Sequence, residues 1–513
     1  MKEEGTKMNV RKWIVCLLCL AMLLPMAACA EAAGAPKYVF LFIGDGMSYP
    51  QFQAASDYLG ALADEDYEQA LPSLKLEERG GAELDGPVKL NFMDFDVAGS
   101  AVTYDACSFA PDSASTATSI ATGKKTYSGM INVDITGATR FETIAEKLHQ
   151  QLGWKIGVIS SVNLNHATPA AFYAHQASRN DYYEIGVELT QSGFEYFAGG
   201  GLKKVNGADG DKASLYDLAK DAGYKVTFTQ ADAQAITAAD GKVILIDEHL
   251  ADSDAMDYEL DRAEGDWALA DYVAKGVEVL EGDTGFFMMC EGGKIDWACH
   301  ANDAGATVSD TLALADAVQV AIDFAKAHPD ETLILVTGDH ETGGLTIGFA
   351  GTDYDTYLDT LANQKISYAQ FDEQYVKRYW ENNTSFEDAM KDVEALFGLK
   401  TAGDEGDRLV LTAYELGRLR DAYDLAMTDL VRKGGYKKND LTQEQYELYS
   451  TYNPFSVTIT HILNNKSGVD FTSFSHTGLP VAVFADGAGA EAFGGYYDNT
   501  EIYNRLAALL NVK

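Results

Sequence analysis

Acidic and histidine side chains follow three strongly apolar runs of the chain. Asp45 lies just beyond the run YVFLFI, Glu291 follows GFFMMC, and Asp339 with His340 follows TLILVT. Carboxylates and imidazoles are the groups with which proteins hold divalent metal ions. One such group alone would be an ordinary polar turn, but three of them at equivalent positions predict a metal site.

The segment EGGKIDWACH adds further ligand types. Asp296 and His300 are four residues apart, a spacing that places two side chains on one face of a helical turn. His476 lies in an isolated Ser-His-Thr-Gly turn, where its spacing alone says little. Mixed His and Asp ligation suits zinc, whereas Asp, Glu and Thr oxygens suit magnesium.

Ser113 follows Asp112 and precedes a stretch of helical character that is rich in Thr, Ser and Ala. Asp or Ser before a helix is most often an N-cap. A helix N-terminus also favours an anion such as phosphate, and a serine without a neighbouring base can be activated by a metal ion. The residues by themselves leave both interpretations open.

Arg179 lies thirteen residues after His166 in a mildly polar stretch. A guanidinium group that binds phosphate can do so with two parallel hydrogen bonds and stays charged at any working pH. Most single arginines lie on the surface, so this residue is a candidate only in company with the others.

The elements that would position these residues alternate between strands and helices. The runs between predicted helices are almost wholly apolar, as is typical of strands covered on both faces. The predicted parallel strands are Tyr38–Ile43, Lys155–Val162, Gly285–Cys290, Thr332–Thr337 and Pro480–Phe484. The predicted helices are Phe141–Gln151, Leu215–Ala222, Asp266–Leu280, Ala304–Ala327 and Thr500–Leu510. This order predicts an α/β fold with a doubly wound, mostly parallel central sheet flanked by helices, in which ligands gather at the carboxyl ends of the strands.

Residues 354–470 break this alternation. Helical periods appear at Ser385–Phe397, Thr412–Lys433 and Thr442–Tyr452. We therefore expect a helical insertion or cap, 354–470, within a main domain formed by 31–353 and 471–513.

Residues 1–30 have the features of an export signal. A basic beginning precedes the apolar run Trp13–Met26, which is shorter than a typical membrane span. Cleavage after Ala30 and lipid attachment at Cys29, in a loose lipobox, both remain open. No later segment is long enough to span a membrane, so we expect a periplasmic, cell-surface or secreted protein.

The charge of the chain is strongly negative. The net charge is −39; residues 1–30 carry four basic and two acidic side chains, so the remainder carries −41. Such a surface repels nucleic acids and anionic membranes. An enzyme that acts on phosphate would need local positive charge, for which metal ions are the natural source. The three cysteines beyond the leader, Cys107, Cys290 and Cys299, imply no disulfide framework.

Five motifs, in this order along the chain, together resemble the alkaline phosphatase family. They are FIGDGM at 42–47, Asp112-Ser113-Ala114 with the following TGKKTY, EGGKID at 291–296, Asp339-His340, and Ser475-His476-Thr477-Gly478. The resemblance covers roughly residues 36–350 and 471–511.

The resemblance implies a phosphomonoesterase of small phosphate monoesters with Ser113 as the nucleophile. It implies that Arg179 binds two phosphate oxygens and that Asp112 orients it. It also implies two zinc ions and a third ion, usually magnesium. The implied ligands are Asp296, His300 and His476 for one zinc, Asp45, Asp339 and His340 for the other, and Asp45, Thr168 and Glu291 for the third ion. Members of the family commonly form homodimers, although no interface element stands out in this sequence.

Two positions depart from part of the family. His166 stands where some members carry Asp, and Trp297 stands where others carry Lys or His. Both would lie near the third metal and the phosphate, so the identity of the third ion and the affinity for phosphate stay open.

Three other functions compete with this interpretation. Many phosphodiesterases use a threonine nucleophile and lack an equivalent of Arg179. A sulfatase would need a modified residue in a C/S-x-P-x-R setting, whereas Ser113 is followed by Ala-Ser-Thr. A surface lipoprotein that only binds phosphate or metal would not need the complete set of a serine, an arginine and the metal ligands.

Overall fold

The computed structural model of the chain describes residues 35–404, 406–434 and 436–513. The leader 1–30, with Cys29 and the predicted cleavage site, lies outside these residues. No helix in the described ranges combines the length and apolarity needed to cross a membrane.

The strands are numbered in chain order. They are β1 Tyr38–Gly44, β2 Val97–Val102, β3 Lys155–Ser160, β4 Tyr196–Gly199, β5 Lys225–Thr227, β6 Val243–Ile246, β7 Phe286–Gly292, β8 Thr332–Gly338, β9 Glu341–Thr342, β10 Thr346–Ile347, β11 Val469–Asp470, β12 His476–Thr477, β13 Val481–Gly487 and β14 Gly495–Asp498.

The α-helices are numbered in the same way. They are α1 Tyr49–Ala63, α2 Ser113–Thr122, α3 Ile144–Lys147, α4 Ala167–Ala170, α5 Tyr182–Gln191, α6 Leu215–Asp221, α7 Gln230–Gln234, α8 Leu269–Leu280, α9 Lys294–His300, α10 Ala304–Ala327, α11 Tyr368–Phe371, α12 Lys377–Asn382, α13 Phe386–Phe397, α14 Ala413–Ala426, α15 Asp429–Arg432, α16 Gln443–Tyr449, α17 Pro454–Lys466 and α18 Thr500–Leu509.

Ten strands form one sheet in the order β14-β2-β13-β8-β1-β7-β3-β4-β6-β5. Both faces of this sheet are covered. In β1, Tyr38, Phe40 and Phe42 enter one hydrophobic cluster, whereas Val39, Leu41 and Ile43 enter another. Alternate side chains of a strand point to opposite faces, so two cores, one on each side, confirm the predicted doubly wound α/β architecture.

The prediction that Pro480–Phe484 runs parallel to the other strands is wrong. β13 pairs antiparallel with both of its neighbours, β8 and β2, whereas every other pairing within this sheet is parallel. The direction follows from the connection. The chain leaves β8 at its carboxyl end and comes back to that same edge through His476, only five residues before β13 begins.

Helices dominate the stretch 354–470, as the sequence predicts. The predicted period Thr412–Lys433 is divided into two helices, α14 and α15, by a break at Met427 and Thr428. The sequence interpretation overlooked α17, although Asn453 caps it and Pro454 stands at its first position, which is a recognised helix-start signal. The limits of this stretch as an insertion remain a prediction.

Candidate metal centre and active site

The three strand-end groups meet at one edge of the sheet. β1 lies between β7 and β8, and Gly44 is in register with Gly292 and with Gly338. The residues that follow, Asp45 and Asp339, therefore leave the sheet at the same level, next to Glu291 at the end of β7. These carboxylates are fully buried.

The first ligand group contains Asp45, Asp339 and His340, whose ligand atoms all lie within 4.8 Å of one another. The His340 Nε2 atom is 3.3 Å from Asp45 Oδ1 and 3.3 Å from Asp339 Oδ2. The Ser113 hydroxyl oxygen is 3.2 Å from the same His340 nitrogen. The predicted nucleophile thus faces this group.

The second group contains Asp296, His300 and His476. Helix α9 presents Asp296 and His300 one turn apart, and His300 Nε2 is 3.4 Å from Asp296 Oδ2 and 3.0 Å from His476 Nε2. The other ring nitrogens of the two histidines are held by the carbonyls of Phe474 and Pro111. Such bonds orient an imidazole so that its free nitrogen faces a metal. His340 is shared, because Asp296, His340 and His476 also converge within 4.8 Å.

The third group contains Asp45, Glu291 and His166, again within 4.8 Å. Thr168 donates a hydrogen bond of 3.3 Å to Asp45 Oδ2. Glu291 accepts a bond from Ser160, while its Oε1 atom and the His166 Nδ1 atom have no hydrogen-bond partner among the described residues. Buried polar atoms are almost always paired, so these two atoms indicate the place of a further ligand.

Burial and mutual repulsion raise the pKa values of the carboxyl groups at the centre. Burial raises the pKa of Asp339 to about 7 and that of Glu291 to about 7, and the nearby Asp296 carboxylate adds to both. The pKa of Asp45 is raised well above its usual range by burial and then by Asp339. Because four carboxylates crowd a buried space, the donor set fits divalent cations.

Ser113 is the first residue of α2 and is buried. The capping role belongs to Asp112, whose Oδ1 accepts a hydrogen bond of 3.1 Å from the backbone N–H of Ser115. The Ser113 hydroxyl is therefore not used for capping and points at the first ligand group. The structure thus assigns the capping role to Asp112 and places the Ser113 hydroxyl beside the ligand His340.

Arg179 lies beside Asp112 and opens into the same cavity as Ser113. Its Nη1 donates a bond of 2.9 Å to Asp112 Oδ2, and its Nη2 is 3.2 Å from His166 Nε2. Asp112 Oδ2 also accepts a bond from the backbone of Gly129, whose carbonyl accepts the Arg179 N–H. The cavity measures about 370 Å³, within the range of roughly 300–1,000 Å³ that is typical of small-molecule sites.

The sequence of the chain matches the model of one protein family, alkaline phosphatase, over residues 36–512. The chain belongs to the alkaline phosphatase family. Its members hydrolyse phosphoric monoesters with bound metal ions, so the chain is a metal-dependent phosphomonoesterase.

Known alkaline phosphatases resemble the chain over most of its length. Alkaline phosphatase 4 of Bacillus subtilis is 29% identical over 483 residues, which are 92% of this chain and 88% of the relative. The cold-active alkaline phosphatase of Shewanella sp. has 26% identity and a TM-score of 0.71, with 92% of this chain and 99% of that one covered. The Thermus thermophilus enzyme, at 22% identity and a TM-score of 0.72, covers 96% of both chains and supports the fold.

The two departures from the family pattern lie together in this alkaline phosphatase. The rings of His166 and Trp297 meet edge to face with their centroids 5.9 Å apart. Sequence reasoning overlooked Lys294, which is fully buried, with its ammonium 4.9 Å from the Trp297 ring. A positive charge therefore lies behind Trp297, although the indole carries none.

Several supporting residues at the centre were not among the site residues that the sequence predicted. Thr342 donates a bond of 2.5 Å to Asp296, and Thr116 donates one of 3.1 Å to Asp339. Gly46 donates its N–H to the same Asp339 carboxylate at 3.1 Å. Thr116 lies inside α2 and Thr342 in the short strand β9, and nothing in the sequence distinguishes them from other threonines, so only the fold identifies them as residues that reach a ligand.

Gly46→Ala is expected to damage both stability and activity. Gly46 has φ +72°, and a Cβ atom there would lie 2.9 Å from Asp296 Cα. We expect the free energy of unfolding to fall by about 2 kcal/mol or more, and kcat/KM to fall at least about tenfold because Asp296 is displaced. Urea unfolding and phosphatase assays measure the two effects.

Gly153→Ala is the matched control, since Gly153 has φ +66° and no described atom within 4 Å of its Cβ position. It should lose only about 1 kcal/mol, with normal kcat/KM. Equal effects of the two substitutions would contradict the crowding argument.

Proposed function

We propose that this alkaline phosphatase is exported and hydrolyses small phosphate monoesters through a covalent phosphoserine at Ser113, with two zinc ions and one magnesium ion. The observation that carries the proposal is the opening of Ser113, Arg179 and the ligand histidines into one cavity, directly above the buried carboxylates.

The donor types fit this set of ions. Asp296, His300 and His476 would hold one zinc ion, and a second group would hold the other zinc ion. That second group consists of Asp45, Asp339 and His340, with Ser113 beside it. Asp45, Thr168 and Glu291 offer oxygens for magnesium, with His166 as a neighbouring donor. When bound, the ions would act as Lewis acids that lower the pKa of the serine hydroxyl and offset charge on the phosphoryl oxygens.

One of the similar solved structures contains bound magnesium. A histidine-to-glutamate variant of the TAB5 alkaline phosphatase, whose chain is 24% identical, holds Mg in its M3 site.

The chain's own residues would act in two successive nucleophilic displacements at phosphorus. Arg179, fixed by Asp112, would hold two phosphoryl oxygens through parallel hydrogen bonds. Ser113 Oγ would form a bond to phosphorus as the ester bond breaks, and the alcohol would leave with that electron pair and take up a proton. Water would then attack the phosphoserine, and this would release inorganic phosphate and restore the serine.

The test compares p-nitrophenyl phosphate with bis(p-nitrophenyl) phosphate at alkaline pH, together with metal analysis of the purified protein. We expect faster hydrolysis of the monoester and both zinc and magnesium in the active protein. Faster cleavage of the diester would favour a phosphodiesterase, and full activity without zinc would refute the metal assignment.

Arg179→Ala is expected to raise KM, and the inhibition constant of inorganic phosphate, by about tenfold to a hundredfold, because a charge-assisted pair of bonds is lost. Steady-state kinetics with phosphate as inhibitor measures both. Arg140→Ala is the control, since Arg140 is largely exposed and lies outside this cavity. An unchanged inhibition constant in Arg179→Ala would remove Arg179 from phosphate binding.

Export is tested by the N-terminus of the protein recovered from cells. Mass spectrometry is expected to find a chain that begins at Glu31, or one that begins at a lipid-modified Cys29. A chain that retains residues 1–30 would contradict export by a cleaved signal.

A further inference from the structure

Three aromatic side chains line the cavity that contains Ser113 and Arg179. Trp297 comes from α9, Tyr368 is the first residue of α11, and Tyr452 precedes α17. The Tyr368 and Tyr452 rings meet edge to face with centroids 5.7 Å apart. Two of the three rings thus come from the helical stretch 354–470, which contributes none of the predicted metal or phosphate ligands.

These rings are held in place from behind. The Tyr258 hydroxyl donates a bond of 3.3 Å to the Tyr368 hydroxyl. The Tyr452 ring lies against Phe474 at 6.0 Å with an angle of 25° between the planes, and the Tyr452 carbonyl accepts a bond from Tyr436. An aromatic surface that is already ordered loses little conformational entropy when a second ring stacks on it.

Tyr452 lines the same cavity as Ser113, Arg179 and Asp296. A ring placed beside Tyr452 would therefore be close to an ester bound at Ser113.

A polar rim completes the cavity. Asp252 and Ser253 are exposed and line it, and the fully buried Lys294 donates a bond of 3.2 Å to Asp252 Oδ1. Ser253 and Asp254 both have left-handed backbone angles, φ +57° and +59°. Such strain in residues other than glycine persists only where the surroundings impose it, and it is concentrated at binding sites.

We propose that the cavity contains a leaving-group subsite that favours nucleoside 5′-monophosphates over phosphate monoesters without an aromatic base. The base would stack on the aromatic wall formed by Trp297, Tyr368 and Tyr452. The ribose hydroxyls would donate to Asp252, which Lys294 holds in place. The inference rests on the proposed function, because it assigns the leaving group of the same reaction.

The test uses two substrates that differ only in the base, adenosine 5′-monophosphate and methyl ribofuranoside 5-phosphate. Both have the same 5′ ester, so their leaving groups have similar intrinsic reactivity. For the wild-type enzyme, loaded with zinc and magnesium, we expect kcat/KM for the nucleotide to be about tenfold higher, with most of the difference in KM. Release of inorganic phosphate measures both reactions.

Substitutions at Tyr452 locate the effect. Tyr452→Leu should reduce the preference to less than about twofold, whereas Tyr452→Phe, which keeps the ring, should retain it. Asp252→Ala should lower kcat/KM for both substrates by a similar factor, since both contain ribose. Tyr414→Leu replaces an exposed tyrosine of the same helical stretch and should change neither value.

The outcomes separate the two proposals. If the wild-type enzyme hydrolyses both substrates with equal kcat/KM, the subsite is refuted and the phosphatase function stands. If it hydrolyses neither, nor p-nitrophenyl phosphate, the proposed function itself fails. The comparison in the wild-type enzyme does not depend on the folding of any variant.

Discussion

Ser113→Ala is expected to lower kcat for p-nitrophenyl phosphate by at least about 10³-fold, while the protein stays folded with its metals bound. The hydroxyl of Ser113 is the only part removed, and it is not used to cap α2, because Asp112 does so. Stopped assays and circular dichroism measure activity and folding, and metal analysis measures occupancy.

Ser119→Ala is the matched control on the same helix. Ser119 is also buried, but its hydroxyl donates to the carbonyl of Ser115 within α2 and faces no ligand group. We expect its activity to lie within about twofold of the wild-type value. Retention of full activity by Ser113→Ala would show that the nucleophile is another group or water itself.

Removal of the metals is the second change with a large expected effect. A chelator should abolish activity and lower the thermal midpoint, because Asp45, Glu291, Asp296 and Asp339 are left buried beside one another without cations. Adding zinc and magnesium after the chelator is removed should restore both. A metal-free protein with an unchanged midpoint would contradict the placement of ions among these carboxylates.

The metal-free protein should also lose stability as the pH rises from about 6.5 to 8. The pKa values of Asp339 and Glu291 are raised to about 7 in the folded protein, and that of Asp45 is raised well above its usual range, mainly by burial. In the unfolded chain these groups ionise near pH 4. The folded state therefore binds more protons, and stability falls by about 1.4 kcal/mol per pH unit for each carboxyl that is still protonated.

Comparison with the metal-loaded protein isolates the contribution of these buried carboxyl groups to the pH dependence of stability. The histidines with lowered pKa values, such as His166 and His340, are neutral in the folded protein and lose their protons near pH 6.5 in the unfolded chain, so they add the same slope to both forms. His175 differs: Glu146 and Glu188 outweigh its burial and raise its pKa to about 9, so it adds the same slope to both forms. Thermal midpoints of the two forms at pH 6.5, 7 and 8 should diverge, and parallel curves would refute the argument.

The composition of the site could be predicted from the sequence because parallel strands end at one edge. Asp45, Glu291 and Asp339 all follow apolar runs, and adjacent placement of those runs is enough to bring the three together. The helical spacing of Asp296 and His300 was equally informative. Their distances depend on packing that no spacing encodes, and only the family resemblance placed His166 near the third group.

Other features could not be predicted because their signals are not local. The run that forms β13 looks the same whichever way it lies, and its direction is set by the route of the chain before it. The strand β5 has only three residues, too few for a period to appear. Lys294 looks like a surface lysine, yet its ammonium lies 3.8 Å from the Tyr258 ring and beside Asp252.

The direction of β13 has a consequence for how this enzyme can change. The chain leaves the sheet at His340 and re-enters it after His476, and the rings of these two histidines stack with centroids 3.6 Å apart. The segment between them therefore begins and ends beside the same pair of stacked histidine rings. Segments of very different length and composition can be accommodated there without altering the spacing of the ligands. Changes in this segment can thus alter the part of the cavity wall formed by Tyr368 and Tyr452 and leave the ligand residues beneath it in place.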